Sequence, residues 1–252
     1  MVAALAVERI KLFSTKSPYW CLGVILLAVW GLGLAVALVD NGREATVFVS
    51  QTGSPMGMMT FMVMAALTIT TEYRFGTIRN SFLAVPQRAL VLAAKTVLMA
   101  FIGAVTGAVA SLGGFFLVKA LATDPDVPLQ LSSAADYRMV LGYSALYAIG
   151  AVLAIGVGTL VRQSAGAITA LLLWPLLVET LLMLISGLRD MTPYLPFNAG
   201  FNFVAAGGHG GMFGRTAFIA EGPSAQQGLV IFLVTALVIW LLALLSLYQR
   251  DA

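Results

Sequence analysis

Residues 228–247 read GLVIFLVTALVIWLLALLSL, a run of twenty positions without a charged side chain. A helix needs about 20 mostly apolar residues to cross the hydrocarbon core of a bilayer. Five more windows of this kind precede it, at 19–39, 55–71, 96–118, 139–161 and 165–187, and only the last of these contains a charge, at Glu179. The runs are continuous rather than alternating, which favours helices over strands. The sequence predicts an all-α polytopic membrane protein, with six transmembrane helices in a single transmembrane domain over residues 1–252.

Composition excludes several other classes of protein. Of the 252 residues, 60% are apolar and 10% are charged, whereas a soluble domain carries roughly 25% charge. The single cysteine, Cys21, excludes a disulfide framework and a cysteine-based metal site. The fourteen cations and eleven anions are too few to form a nucleic-acid surface. We therefore expect no nucleic-acid partner and no metal site.

Positively charged residues are distributed unequally between the two sides that six spans define. Cytoplasmic loops carry an excess of Lys and Arg, and this excess sets the orientation. With the N-terminus inside, nine cations lie on the inner side and five on the outer side. The inner set is Arg9, Lys11, Lys16, Arg74, Arg79, Arg88, Lys95, Arg162 and Arg250, and the outer set is Arg43, Lys119, Arg138, Arg189 and Arg215. Both termini are predicted to be cytoplasmic.

Two of the segments outside the spans are unusually apolar. If residues 1–18 form a helix, their apolar side chains lie largely on one side of it, with Glu8, Arg9 and Lys11 among them. This pattern predicts an amphipathic elbow helix in the cytoplasmic interface. The alternative is a frayed, solvated tail. The connection at 188–227 contains Pro193, Pro196 and six aromatic residues. It either re-enters the membrane as broken half-helices buried against protein or forms a cap on the outer face.

The third segment, 72–95, is the most polar part of the chain. Phe75, Ile78, Phe82 and Leu83 recur at helical spacing, which predicts a short amphipathic helix that ends at Pro86. Such a helix can fit a groove on a partner protein, or it can anchor to anionic lipid through its cationic rim.

Small residues repeat at four-residue spacing along two of the predicted spans. Such faces let helix backbones approach closely, either within one protomer or between protomers. The third span carries Gly103, Gly107 and Ser111, and the fourth span carries Gly150, Ala154 and Gly158. For at least one of them we expect packing within the chain alone.

Glu179 is the only ionisable residue well inside a predicted span. A charge at the centre of a helix in the bilayer costs about 2.5–3.5 kcal/mol on insertion scales, so a role is expected for it. It could be a polar anchor at a protomer interface, a ligand for a cationic substrate, or a protonated hydrogen-bonding residue. If the acid serves function alone, leucine at this position should fold as well or better.

Motifs for chemistry within this chain are missing. The nearest match to a phosphate-binding loop, at 209–216, has His209 in place of the first glycine and Arg215 in place of the lysine. One histidine cannot form a zinc cage, and there is no nucleophile elbow. We therefore expect no enzyme activity and no cofactor bound by the chain itself.

The motif Glu72-x-x-x-Gly76-Thr77, then Pro86-x-Arg88 and Lys95, resembles the permease subunits of type-2 ABC exporters. Three further patterns look like that family: Glu8-Arg9-x-Lys11-Leu12 before Ser17-Pro18-x-Trp20, then Trp174-Pro175 with Glu179, then Tyr194-Leu195-Pro196-Phe197. The order of these motifs agrees with the family over essentially the whole chain. The resemblance implies an elbow helix and a coupling helix that docks on a separate ATPase. The implied coupling residues are Glu72, Tyr73, Arg74, Gly76, Thr77, Arg79, Phe82, Pro86 and Arg88, and those of the elbow are Glu8, Arg9 and Lys11.

The resemblance also implies the partners. Two ATPase subunits would bind ATP and Mg, and a second permease protomer, identical or paralogous, would complete the path for a lipophilic or amphiphilic compound such as a drug, an antibiotic or a lipid. The implied location is the bacterial plasma membrane, in contact with its lipid. Two alternatives stay open: a secondary carrier or channel without an ATPase, and a membrane interaction subunit that transports nothing.

Overall fold

The computed structural model describes residues 2–39, 46–84, 87–121, 129–185, 187–205 and 222–249, and within these ranges the chain is helical and contains no strand. A π-helical turn at Trp174–Val178 and a 3-10 helix at Arg189–Tyr194 interrupt the α-helices. The α-helices are α1 (Val2–Phe13), α2 (Ser17–Val39), α3 (Val47–Ser50), α4 (Ser54–Arg74), α5 (Ile78–Ala84), α6 (Arg88–Leu121), α7 (Ala134–Val161), α8 (Ser164–Leu173), α9 (Glu179–Leu182), α10 (Pro196–Val204) and α11 (Ala225–Gln249).

Six stretches of this described chain are long and apolar enough to cross a membrane. They are Ser17–Leu38, Val47–Arg74, Arg88–Leu121, Ala134–Val161, Ser164–Leu182 and Ala225–Gln249. Within the described residues, the predictions of an all-helical fold and of six helical stretches able to span a membrane are confirmed. The chain is a multi-pass membrane protein.

Several helices begin well before the apolar windows that predicted them. Helix α6 starts at Arg88, eight residues ahead of its window, and α7 starts at Ala134, so that its first turns contain Asp136 and Arg138. With 34 residues, α6 is about 51 Å long, whereas the hydrocarbon core is only about 30 Å thick. A hydropathy window stops at the first charge, but the backbone hydrogen bonds of the helix continue. The chain between α4 and α6 is therefore only 75–87.

The small-residue stripe of α6 packs on α7. A Cβ atom at Gly103 would lie 2.8 Å from the carbonyl oxygen of Tyr147, and one at Gly107 would lie 2.7 Å from that of Tyr143. One turn further, the Ser111 hydroxyl donates a hydrogen bond to the carbonyl oxygen of Val140 at 2.7 Å. Such an approach is closer than side chains permit, so both glycines are required for this contact.

The stripe of α7 faces α4, and a third face of α7 contacts α11. A Cβ atom at Gly150 would lie 3.2 Å from the Met62 side chain, and one at Gly158 would lie 2.7 Å from that of Ile69. A Cβ atom at Gly156 would lie 3.1 Å from the backbone of Trp240 in α11. Both predicted stripes thus pack within the chain, and α7 is the central helix of the bundle.

Candidate functional site

Four charged side chains meet at the end of the bundle where α1 packs on the last turn of α4 and the second turn of α6. We call Glu8, Lys11, Glu72 and Lys95 the ion-pair cluster. The Lys95 ammonium donates to Glu8 Oε2 and, at 3.1 Å, to Glu72 Oε1. The Lys11 ammonium donates to Glu8 Oε1 at 2.8 Å and to Glu72 Oε1 at 3.2 Å. Two carboxylates and two ammonium groups make the cluster neutral.

The ion-pair cluster is largely shielded from solvent. The exposed fraction of the side chain is 4% for Lys95, 5% for Glu8, 12% for Glu72 and 38% for Lys11. A buried charge is tolerated only when it is paired and hydrogen-bonded, because removal from water costs several kcal/mol per ion. The pairs therefore hold α1 against the bundle, whereas exposed pairs would contribute little. Residues 2–13 form a helix that contacts α6.

The ion-pair cluster also reaches α5. Lys11 donates its third hydrogen bond to the Ser81 hydroxyl at 2.9 Å. Helix α5 is joined to α4 by only three residues, 75–77, and Gly76 among them has φ +69°. A side chain is strained in this left-handed conformation, so glycine is needed here for a turn. A Cβ atom at Gly76 would have no neighbour within 4 Å, so this glycine is not needed for close packing against another helix.

The apolar stripe and the other predicted coupling residues of this segment divide between an exposed and a buried set. Phe75 is 70% exposed and Leu83 is 81% exposed, whereas Ile78 is 3% exposed and faces the bundle. The Arg74 guanidinium lies 5.5 Å from the centre of the Phe75 ring. Thr77 and Arg79 are exposed, as is Arg9 on α1, while Pro86 and the side chain of Phe82 lie outside the described residues.

Two arginines bind the last carbonyl groups of α11 at the same end of the bundle. Arg88 donates to the carbonyl oxygen of Leu247 at 2.9 Å, and Arg162 donates to that of Ser246 at 3.3 Å. The last carbonyls of a helix have no partner within it and carry the negative end of its dipole, so cations are favourable there. The Arg162 guanidinium also lies 5.1 Å from the centre of the ring of Tyr73, a predicted coupling residue.

Glu179 lies toward the opposite end of the bundle and caps a helix. Its Oε1 accepts a hydrogen bond from the backbone N–H of Phe197 at 3.0 Å, and its Oε2 accepts one from Asn198 at 2.8 Å. These are the second and third residues of α10, whose first residue is Pro196. The carboxyl group thereby satisfies two N–H groups that have no acceptor inside α10.

Helix α10 runs antiparallel to the first turns of α11. The rings of Phe197 and Phe232 lie 5.5 Å apart, and a Cβ atom at Gly228 would lie 2.2 Å from the carbonyl oxygen of Ala199. The side chain of Val204 lies 2.8 Å from the Cβ position of Gly142 on α7. Most of α10 is buried between these two helices, and its N-terminus meets Glu179.

The two bonds make Glu179 a hydrogen-bonding residue, as in the third predicted role, with backbone N–H groups of α10 as its partners. The residue is 1% exposed, so the carboxyl group does not lie on a surface that a second protomer could contact. The one sequence signal was Pro196, because proline is frequent at the first position of a helix and so marks a helix start. Nothing in the sequence links the start of α10 at Pro196 to Glu179, which lies seventeen residues earlier.

The charges of the ion-pair cluster make the docking of α1 depend on pH. Burial opposes ionisation of Glu8, but the ammonium groups of Lys95 and Lys11 outweigh it and hold its pKa below the ordinary 4.5. Burial likewise opposes the charge on Lys11, but Glu8 and Glu72 outweigh it and raise its pKa above 10.5. The contribution of Glu8 to the docking of α1 is full above pH 4.5. It is lost as pH falls through the lowered pKa of Glu8 in the folded chain. The contribution of Lys11 to the docking of α1 is full below pH 10.5 and is lost as pH rises through the raised pKa of Lys11 in the folded chain.

We therefore expect α1 to stay docked from about pH 5 to about pH 10 and to detach in acid. The measurement is the distance distribution between spin labels at Ala6 and Val97 in a Cys21→Ser background. It should be narrow at pH 7 and should broaden as pH falls from 4.5 through the lower folded pKa of Glu8. The Glu8→Gln variant is the control, since its distribution should be broad and independent of pH over this range. A distribution in the unsubstituted cluster that stays narrow until the whole chain unfolds would contradict the expectation.

Comparison with known proteins gives no relative for this arrangement: no family model, no curated sequence and no solved structure matches the chain. Within the described ranges, no three His, Cys, Asp or Glu side chains are grouped so that they could hold a metal ion.

Proposed function

We propose that the chain is the permease subunit of an ATP-driven ABC exporter. With a second permease protomer it forms the path for a lipophilic or amphiphilic compound, and it couples to two separate ATPase subunits that bind ATP and Mg. The observation that carries the proposal is the ion-pair cluster, which joins α1, α5 and two spanning helices at one end of the bundle.

A coupling helix must pass a displacement on to the spans. Helix α5 follows α4 after three residues, and its Ser81 is bonded to Lys11, which is bonded in turn to Glu72 of α4. Lys95 of α6 binds the same carboxylate oxygen as Lys11. A push on α5 therefore acts on α1, α4 and α6 together, as a rigid-body transition requires.

The exposed side of the 75–87 segment has the composition of a docking surface. Phe75 and Leu83 present large apolar side chains next to Arg74 and Arg79. A helix of this kind fills a groove with its apolar anchors, while the charges at its edge fix the orientation.

The distribution of charge supports the orientation that this function needs. At the end with the ion-pair cluster lie Arg9, Lys11, Arg74, Arg79, Arg88, Lys95 and Arg162, and toward the other end lie Lys119, Arg138 and Arg189. The positive-inside rule then makes the first of these ends cytoplasmic, with both termini inside and α1 as the elbow helix in the interface. In this orientation α10, in the connection between the fifth and sixth spans, is a re-entrant half-helix at the outer face of the bacterial plasma membrane.

The test is capture of the ATPase subunit by the permease in detergent. We expect Leu83→Asp to reduce recovery of the ATPase at least tenfold, because a carboxylate would enter the apolar groove that Leu83 is proposed to fill. The ATPase to be used is the one encoded next to this chain, identified by its phosphate-binding loop.

The matched control is Leu121→Asp, which changes an exposed leucine at the C-terminal end of α6. This end of α6 is the one away from α5. It should leave recovery unchanged. Equal recovery with Leu83→Asp would refute the coupling-helix assignment. Transport in vesicles that contain no ATPase would instead favour a carrier or channel.

A further inference from the structure

A cavity of about 960 Å³ lies beneath α1. Its walls come from α1, the residues just after it, the start of α2, the last turns of α4, residues 75–81 and the first part of α6. Its volume is at the upper end of the roughly 300–1,000 Å³ typical of ligand sites. The cavity is therefore large enough for a small amphiphile or for a large part of a lipid molecule.

The cavity is amphipathic in its arrangement. All four residues of the ion-pair cluster line it, and much of the remaining wall is apolar, including Met64, Leu67, Leu98 and Met99. Val7 and Phe75 also line it and are 51% and 70% exposed. An opening edged by exposed apolar side chains is suited to lipid rather than to water.

The ion-pair cluster has hydrogen-bonding capacity to spare. Glu72 Oε2 is buried without a hydrogen-bond partner in the described part of the chain. The Lys95 ammonium has three N–H groups, and the described residues supply acceptors for two of them, Glu8 and Glu72. The final torsion of a glutamate side chain is broad, so a small rotation can bring Oε2 toward the cavity.

These spare groups select a headgroup by its chemistry. One spare acceptor and one spare donor beside a neutral cluster match a zwitterionic head that has N–H donors and a phosphate. An ethanolamine head has such donors, whereas a choline head has no N–H group and leaves Oε2 without a partner. A glycerol head offers hydroxyl donors, but its phosphate adds net negative charge next to a carboxylate.

We propose that this cavity binds one membrane lipid with a phosphoethanolamine headgroup. Its ammonium group donates to Glu72, its phosphate accepts from Lys95, and its acyl chain lies against Met64, Leu67 and Leu98. The lipid fills the space between α1 and the spans and completes the hydrogen bonds of the ion-pair cluster. This site involves the chain alone and does not depend on an ATPase partner.

The test is native mass spectrometry of the purified chain in detergent with equimolar phosphatidylethanolamine, phosphatidylcholine and phosphatidylglycerol. We expect one phosphatidylethanolamine to be retained at least tenfold more than either competitor. Leu98→Trp fills the apolar part of the cavity and should reduce retention at least tenfold. Its matched control, Val97→Trp, alters an exposed neighbour outside the cavity and should retain the lipid.

A separate variant tests the contact between Glu72 and the headgroup. Glu72→Gln removes the carboxylate charge and should bring retention of phosphatidylethanolamine to within twofold of phosphatidylcholine. Soluble phosphoethanolamine at millimolar concentration should not displace the lipid, because it has no acyl chain. If Leu98→Trp does not fold, Ala4→Trp fills the cavity from α1 instead.

Two results would overturn the lipid site. One is no preference among the three lipids in the unsubstituted chain. The other is unchanged retention in a folded variant whose cavity is filled. Displacement by the soluble headgroup would show that the cluster binds a small zwitterion, and it would equally overturn the assignment of a lipid.

Discussion

Replacing Lys95 with methionine should destabilise the chain by about 3–5 kcal/mol, because it leaves the buried carboxylates of Glu8 and Glu72 short of positive charge. Methionine preserves most of the length of the lysine side chain, so the loss reports the charge rather than a cavity. Lys11 would be the one remaining cation for two carboxylates, and it is the more exposed of the two lysines. The measurement is the denaturant midpoint in detergent micelles, combined with the distance from α1 to α6.

The control for this variant is Lys119→Met, at the other end of the same helix. Lys119 is exposed and lies 5.9 Å from the centre of the Phe115 ring, so its loss should cost less than about 1 kcal/mol. The double variant Lys95→Met with Glu8→Gln should recover part of the loss, since it removes one of the uncompensated charges. Additive effects of the two substitutions would contradict a direct pair between them.

Replacing Glu179 with leucine should cost about 2–6 kcal/mol, since the buried N–H groups of Phe197 and Asn198 would each lose an acceptor at about 1–3 kcal/mol. This reverses the expectation from sequence that leucine folds as well as glutamate. Helix α10 would also lose the acceptor group that faces the positive end of its dipole. Thermal unfolding in micelles measures the change in stability, and hydrogen exchange of residues 197–204 localises it.

Two further variants separate capping from a general effect of the position. Glu179→Gln retains one acceptor oxygen and turns a donor toward the second N–H group, so its loss should be intermediate. Thr180→Val removes a hydroxyl at the next residue, which is only partly buried, and should cost less than about 1 kcal/mol. Equal stability of the glutamate and leucine forms would show that α10 does not depend on this cap.

The number of spans could be predicted from sequence, but their limits could not. A twenty-residue apolar run is a local property of the chain. Five of the six runs lie within single helices, and the run 165–187 extends past the helical stretch, which ends at Leu182. The start of α6 could not be found in this way, because Arg88 and Lys95 interrupt the hydropathy while the helix continues. Lys95 can lie in the helix because its charge is paired with Glu8 and Glu72.

The site residues were predictable as positions but not as contacts. Glu8, Lys11 and Glu72 were named from motifs, yet their pairing joins parts of the chain more than sixty residues apart. The same holds for Glu179, whose partners are backbone N–H groups that have no signature in the side-chain sequence. Charges are visible in a sequence, whereas the neutralisation of one by another is a property of the fold.

The contact of α6 with α7 has a consequence for any study of motion in this molecule. Gly103 and Gly107 bring the two backbones so close that a slide of one turn, about 5.4 Å along the axis, would place a Cβ-bearing residue, Met99 or Ser111, against the carbonyl of Tyr147 or Tyr143. The pair therefore neither slides nor separates without loss of its packing. It supplies an internal frame of reference, from which a change in distance to α1, to α5 or to α10 reports the displacement of that element alone.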